Sequence, residues 1–157
     1  MARAAVRVGV ISDTHGLLRP EALAALRGSA LILHAGDVGA PEVVEGLRAL
    51  APIMAVRGNN DTARWAKRLP ETKLVEVGGA RFYLLHQLAE LDLDPAAAGL
   101  AAVVTGHSHR PSIAVRDGVL YLNPGSAGPR RFKLPVCVAR VAVVGRRLRP
   151  EIVELAV

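Results

Sequence analysis

Three times before Pro70 the chain runs from a short apolar stretch into a polar loop and on into a segment opened by proline or a capping carboxylate. Val6 to Ile11 is apolar, Asp13-Thr14-His15 interrupts it, and Pro20-Glu21 starts a helix whose Leu23 and Leu26 share a face before Gly28 stops it. Ala30 to Leu33, the loop His34 to Gly39 and a helix opened by Pro41, with Val43, Val44, Leu47 and Leu50 on one stripe, repeat the pattern. Pro52 to Val56, the loop Gly58-Asn59-Asn60 and a helix capped by Asp61 complete a third unit. Successive strand-loop-helix units predict a parallel sheet with its polar loops gathered at the carboxyl ends of the strands.

Beyond Pro70 the pattern changes to hairpins. Lys73 to Val77 and Arg81 to Leu85 flank Gly78-Gly79, and Ser112 to Arg116 and Val119 to Leu122 flank Asp117-Gly118. Antiparallel pairing is expected to dominate here, with a short helix over Asp94 to Leu100 and a buried strand over Ala101 to Thr105. Two further strands, Val136 to Val144 and Arg149 to Val157, turn at Gly145. The expected fold is α/β: a four-layer α/β/β/α sandwich of two mixed sheets flanked by helices. At 157 residues and 51% hydrophobic content the chain fits one domain, 1–157.

Val6 to Ile11 is too short for a signal-peptide core or a membrane span, so a cytoplasmic protein that avoids membranes is expected. The single cysteine, Cys137, lies in an apolar strand and reads as a buried thiol. A formal charge of +6 raises nucleic acid as a partner. The basic residues are scattered, however, and the dense runs (Arg64, Lys67, Arg68; Arg130, Arg131, Lys133; Arg146, Arg147, Arg149) have almost no aromatic residues between them for stacking. Scattered surface charge is the stronger reading, and such a surface can still steer a small anionic substrate, an effect that salt weakens.

The metal-binding residue types stand in four short clusters at the ends of apolar runs: Asp13 with His15, Asp37, Asn59, and His107 with His109. Four of the five histidines, His15, His86, His107 and His109, follow or flank a strand-like stretch. Asp-X-His sets a carboxylate beside an imidazole while Thr14 points elsewhere, so both reach one cation. Asp37 follows Gly36, and its two oxygens can bridge two cations. Gly58-Asn59 repeats the arrangement with a neutral oxygen, and Gly106-His107-Ser108-His109 offers one imidazole to each metal. Each cluster alone has a structural explanation, Asp37 as a turn residue, Asn59 as a cap, His15 as a polar strand end. All four in this order point to a two-metal hydrolase.

The series Asp13-Thr14-His15, Gly36-Asp37, Gly58-Asn59-Asn60-Asp61, Gly106-His107-Ser108-His109 and Asn123-Pro124-Gly125-Ser126 resembles the calcineurin-like metallophosphoesterases, in particular their small single-domain YfcE-type branch. The resemblance implies one metal on Asp13, His15 and His109, another on Asn59, His86 and His107, and Asp37 bridging them. It also implies that Asp37, Asn59 and His107 are closest to catalysis, and that the cofactors are two divalent ions drawn from Mn, Fe, Zn, Ni or Co. The family usually has glycine after the histidine at His86, where this chain has Gln87. His34 is not a direct ligand in the family and reads as support, and Asn123 to Ser126 pack beside the metals there.

Many larger relatives carry histidine directly after the loop asparagine, where this chain has Asn60. Catalysis then rests on the metals, by in-line attack of a metal-bridging hydroxide on phosphorus. Charge balance favours a phosphodiester over a monoester unless Arg57 or Arg130 points inward, so a small phosphodiester or nucleotide-like substrate is expected. The alternative is a catalytically weak scaffold: the retromer subunit of this fold resembles the enzymes but serves mainly in protein assembly. Asn60 speaks for that role and the full ligand set against it. A homo-oligomer is compatible with both.

Overall fold

The structure, a computed structural model, describes residues 4–157. Ten strands form two five-stranded sheets among the described residues. The first has the order β10-β9-β1-β2-β3, built from β1 (Val6–Ile11), β2 (Leu31–His34), β3 (Ile53–Ala55), β9 (Cys137–Val144) and β10 (Arg147–Glu154). β1, β2 and β3 pair in parallel, as the repeated strand-loop-helix pattern predicts, while β9 and β10 extend the sheet antiparallel. Pro150 sits in β10, an edge strand, where a missing amide is tolerated.

The second sheet has the order β4-β5-β6-β8-β7: β4 (Thr72–Val77), β5 (Ala80–Leu85), β6 (Ala102–Val104), β7 (Ser112–Arg116) and β8 (Val119–Asn123). Both expected hairpins are present, but antiparallel pairing does not dominate, because β6 inserts between them and runs parallel to β5 and β8. The carboxyl ends of β5, β6 and β8 therefore open on one edge, and His86, Gly106 to His109 and Asn123 share it. The sheets stack through a core in which Val8, Val10, Leu33, Val141 and Val143 meet Phe82, Leu84, Val104, Leu120 and Leu122. This is the mixed two-sheet α/β architecture expected of the sequence.

Two α-helices cover the outer face of the first sheet. α1 (Pro20–Leu26) and α2 (Pro41–Arg48) bury Ala22, Leu26, Val43 and Leu47 against Ile11, Ile32 and Val138. Two expected helices form differently. After Asn59 there is only a 3₁₀ helix, Arg64–Arg68, and it is not capped by Asp61. The Asp61 carboxylate instead accepts the amides of Val38 (3.1 Å), Gly39 (3.0 Å) and Gly58 (2.9 Å), tying the second loop to the third. The segment Asp94 to Leu100 is a run of turns, in which Asp94 accepts the amides of Ala96 and Ala97 and Gly99 adopts φ +72°. With the 3₁₀ helix Leu88–Glu90, it covers the outer face of the second sheet through Leu91, Leu93 and Leu100. No helix of the described residues is long and apolar enough to cross a membrane.

Candidate metal centre

Every loop of interest leaves the carboxyl end of a strand, and main-chain bonds tie the first two together. The Asp13 amide donates to Gly36 O at 3.0 Å and the His15 amide to Asp37 O at 2.9 Å. Glycines allow the rest to close in. A Cβ at Gly58 would fall on the Asp37 carboxylate, one at Gly106 on the Ser12 hydroxyl, and one at Gly36 within 2.7 Å of His86 Nδ1. Asp13, His15, Asp37, His107 and His109 all have positive φ; among the described non-glycine residues only Asp117 and Phe132 share it.

Asp13 is fully buried, with one oxygen satisfied and one not. Oδ2 accepts the Ser12 hydroxyl at 2.6 Å and the His107 amide at 3.0 Å. Oδ1 has no hydrogen-bond partner and faces the Nε2 atoms of His109 (3.3 Å), His15 (3.8 Å) and His86 (3.8 Å). Asp37 Oδ2 lies 3.3 Å from His86 Nε2 and 3.8 Å from His15 Nε2, so it too stands between two imidazoles. His15 and His109 approach Nε2 to Nε2 at 3.4 Å. His107 and Asn59 meet on the exposed rim, Nδ1 to Oδ1 at 3.2 Å, and the His107 ring stands edge-on to His86.

These donors fit metal ions. Bonds of about 2.0–2.2 Å from nitrogen or oxygen to a divalent ion put neighbouring ligand atoms roughly 3–3.5 Å apart, and the separations here are 3.3 to 3.8 Å. A buried carboxylate oxygen and a buried imidazole nitrogen without partners are otherwise costly; Asp13 Oδ1 and His86 Nε2 are both in that condition. His86 Nδ1 donates to Ala35 O at 2.8 Å, which turns the Nε2 lone pair toward the carboxylates. Two three-residue groups of carboxylate and imidazole donors result, Asp13 with His15 and His109, and Asp13 with Asp37 and His86.

The local field is strongly polarised. Burial would raise the Asp37 pKa, but the neighbouring His86, the Asn60 amide bond and the nearby His15 bring it down to about 2. For His86 burial is outweighed by Asp37, the Ala35 carbonyl and Asp13, and its pKa rises. Burial, with repulsion from Arg131 and His15, lowers that of His109.

The supporting residues fall into place around this centre. His34 is fully buried: Nδ1 accepts the Gly36 amide, so Nε2 donates to Thr14, which donates to Val38 O. Burial and the neighbouring His86 bring its pKa down to about 3, keeping it neutral. Asn60 binds Asp37 twice, through its amide at 2.9 Å and Nδ2 at 3.1 Å. Asn123 Nδ2 holds Gly106 O and Ser108 Oγ, and the Ser126 hydroxyl donates to Asp13 O. Arg57 pairs with Glu71 at 3.0 Å and Arg130 donates to Val157 O, so neither guanidinium is bonded to a residue of the cluster. Sequence reasoning missed Ser12, the clamp at Asp61, and Gly128, whose Cβ would strike the Asp13 and Thr14 carbonyls. The polar Ser12 ending an apolar strand was the available signal for the first.

Comparison with known proteins finds relatives of the whole chain and of its fold. Residues 6–146 match the model of the calcineurin-like phosphoesterase superfamily domain. A probable metallophosphoesterase of Methanothermobacter thermautotrophicus is 36% identical over 163 residues, covering 94% of this chain and 91% of its own. Among solved structures, the phosphoesterase YfcE of E. coli is similar with a TM-score of 0.66 and 24% identity, covering 95% of this chain and 99% of its own. Vacuolar protein sorting 29 of Cryptosporidium parvum is similar with a TM-score of 0.77 and 21% identity, covering 98% and 99%. At such identities the two structures speak for the fold.

Proposed function

The chain belongs to the calcineurin-like phosphoesterase superfamily, and we propose that it is a phosphodiesterase using two divalent ions: Asp13, His15 and His109 hold one, Asn59, His86 and His107 the other, and Asp37 bridges. The observation that carries this reading is the convergence of Asp13 Oδ1, Asp37 Oδ2 and three imidazole Nε2 atoms, with Asp13 Oδ1 and His86 Nε2 lacking any other partner. Bound ions would supply Lewis acidity toward phosphoryl oxygens and a water acidic enough to attack phosphorus near neutral pH.

The chain's own residues do the remaining work. Ser12 and the His107 amide fix Asp13 so that Oδ1 faces the centre. Asn60 and the low pKa of Asp37 keep that carboxylate anionic and oriented. His107 and Asn59 stand on the exposed rim, where a phosphoryl group would enter. Asn60 cannot protonate a leaving group, which favours esters whose alcohol departs easily.

Charge balance supports the diester. Two divalent ions would bring four positive charges, of which Asp13 and Asp37 would offset two. With one hydroxide, a phosphodiester monoanion would make the centre neutral, whereas a monoester dianion would make it negative. Arg57 and Arg130 are engaged elsewhere. The test is metal analysis of the purified protein, then turnover of bis(para-nitrophenyl) phosphate against para-nitrophenyl phosphate with divalent ion restored. The diester should be preferred; a clear monoester preference sinks the diester assignment. A second reading, a metal-loaded scaffold, draws on Asn60 in place of histidine; full metal occupancy with no turnover of either ester would favour it.

A further inference from the structure

A groove of about 720 Å³ lies between α2 and the 3₁₀ helix Arg64–Arg68, within the rough 300–1,000 Å³ span of small-molecule sites. One wall is apolar, formed by Pro41 and Val44 of α2 and by Leu69. The chain's single tryptophan, Trp65, lines it half-buried, packed with the core beneath the helices. Among the described residues the cation seated over an aromatic ring is Arg116, on Tyr121, and none is recorded over Trp65.

Four exposed cations, Arg48, Arg64, Lys67 and Arg68, line the same groove against one carboxylate, Glu45. The arginine ion pairs among the described residues lie elsewhere, at Arg57, Arg81 and Arg140. Arg64 and Lys67, three apart on a 3₁₀ helix, project from one face. Surplus cations around an indole and an aliphatic wall suit a ligand with phosphate at one end and a planar ring at the other. Both of its walls follow candidate metal loops in the chain, Pro41 four residues after Asp37 and Arg64 five after Asn59.

We infer that this groove binds a mononucleotide, its base on Trp65 and its phosphate on Arg64, Lys67 and Arg68. An acidic peptide would use the charges but not the ring. A nucleic acid strand needs a longer basic track, and neither Arg130, Arg131 and Lys133 nor Arg146, Arg147 and Arg149 line this groove. The inference is independent of catalysis at the metal centre, because a tryptophan that lines the groove reports binding without turnover.

The test is quenching of Trp65 fluorescence by AMP and adenosine, with ribose phosphate read by its competition against AMP, in the presence of chelator so that phosphate held at a metal does not contribute. AMP should quench saturably, and the two fragments should bind roughly tenfold more weakly or worse. Arg64→Glu with Lys67→Glu, both at exposed positions, should weaken AMP by a similar factor, and Arg116→Ala should change nothing. By calorimetry, Trp65→Leu should make AMP bind no better than ribose phosphate. Absence of quenching, equal affinity for AMP and ribose phosphate, or indifference to the charge reversals would overturn the inference. So would a tighter response to an oligonucleotide or an acidic peptide than to AMP.

Discussion

Asp13, His15, Asp37, His107 and His109 hold φ between 47° and 71°, a conformation that costs an L-residue roughly 1–2 kcal/mol. Such strain persists where surroundings impose it, and functional sites are where it collects. Asp37 stands between two imidazoles, so Asp37→Ala should abolish binding of both ions, whereas Asn59→Ala should weaken one; retention of two ions by Asp37→Ala in metal analysis would refute the bridging role. Asn60→Ala removes one of the bonds that orient Asp37 and should weaken metal binding roughly 10–100-fold in titration. His34 supplies a pH prediction. Its folded pKa of about 3 lies below the unfolded value of about 6.5, so the unfolded chain takes up the extra proton. The contribution is complete above about pH 6.5 and declines by about 1.4 kcal/mol per unit as pH falls toward 3. Asp37, lowered to about 2, acts in the same sense only at still lower pH, and His86, raised, loses its contribution as pH rises. Urea unfolding should show a shallower acid slope for His34→Gln than for wild type between about pH 6 and 4; parallel slopes would remove His34 as the cause.

At the scale of elements, the positions of the loops depend on close approaches between glycines and side chains. Gly58→Ala would drive a methyl into the Asp37 carboxylate without any φ penalty, since Gly58 is not in the left-handed region. It should weaken metal binding far more than Gly118→Ala, where nothing lies within 4 Å and the cost is the positive φ of 76° alone, about 1 kcal/mol. Metal titration and denaturant unfolding of both variants would separate the two effects; equal metal affinity would mean that the loop yields around the methyl. The hairpins and the first two helices were legible because each rests on neighbours in sequence: Gly78-Gly79, Asp117-Gly118, and Pro20 or Pro41 at a helix start. The third helix was not, because Asp61 has a cap's chemistry but finds three amides from two loops instead. Asp94 to Leu100 failed similarly, its short apolar content giving no periodicity to hold a helix.

Over the whole molecule, the candidate ligands divide between the sheets. Asp13, His15, Asp37 and Asn59 follow strands of the first, and His86, His107 and His109 follow strands of the second. Metal binding should therefore brace the two sheets against each other across their shared edge. Chelation should lower the melting temperature, and saturating ion at about a thousand times Kd should restore about 4 kcal/mol. A calorimetric scan that does not respond to chelator would show that the purified fold holds no metal at this edge.

The residue types, their order and their place after apolar strands were determined by the sequence itself, because strand ends and loop chemistry are local properties read from a few adjacent residues. Local reading also reached the stripes of α1 and α2 and the burial of Cys137. Tertiary structure alone decided that β6 runs parallel between two hairpins, which turns His86, His107 and His109 toward the loops of the other sheet. It alone decided that Asp13 leaves one oxygen free, and that Arg57 and Arg130 bond to Glu71 and the Val157 carbonyl. These outcomes depend on pairing and packing between segments tens of residues apart, and no local pattern carries the energy of contacts made at that separation.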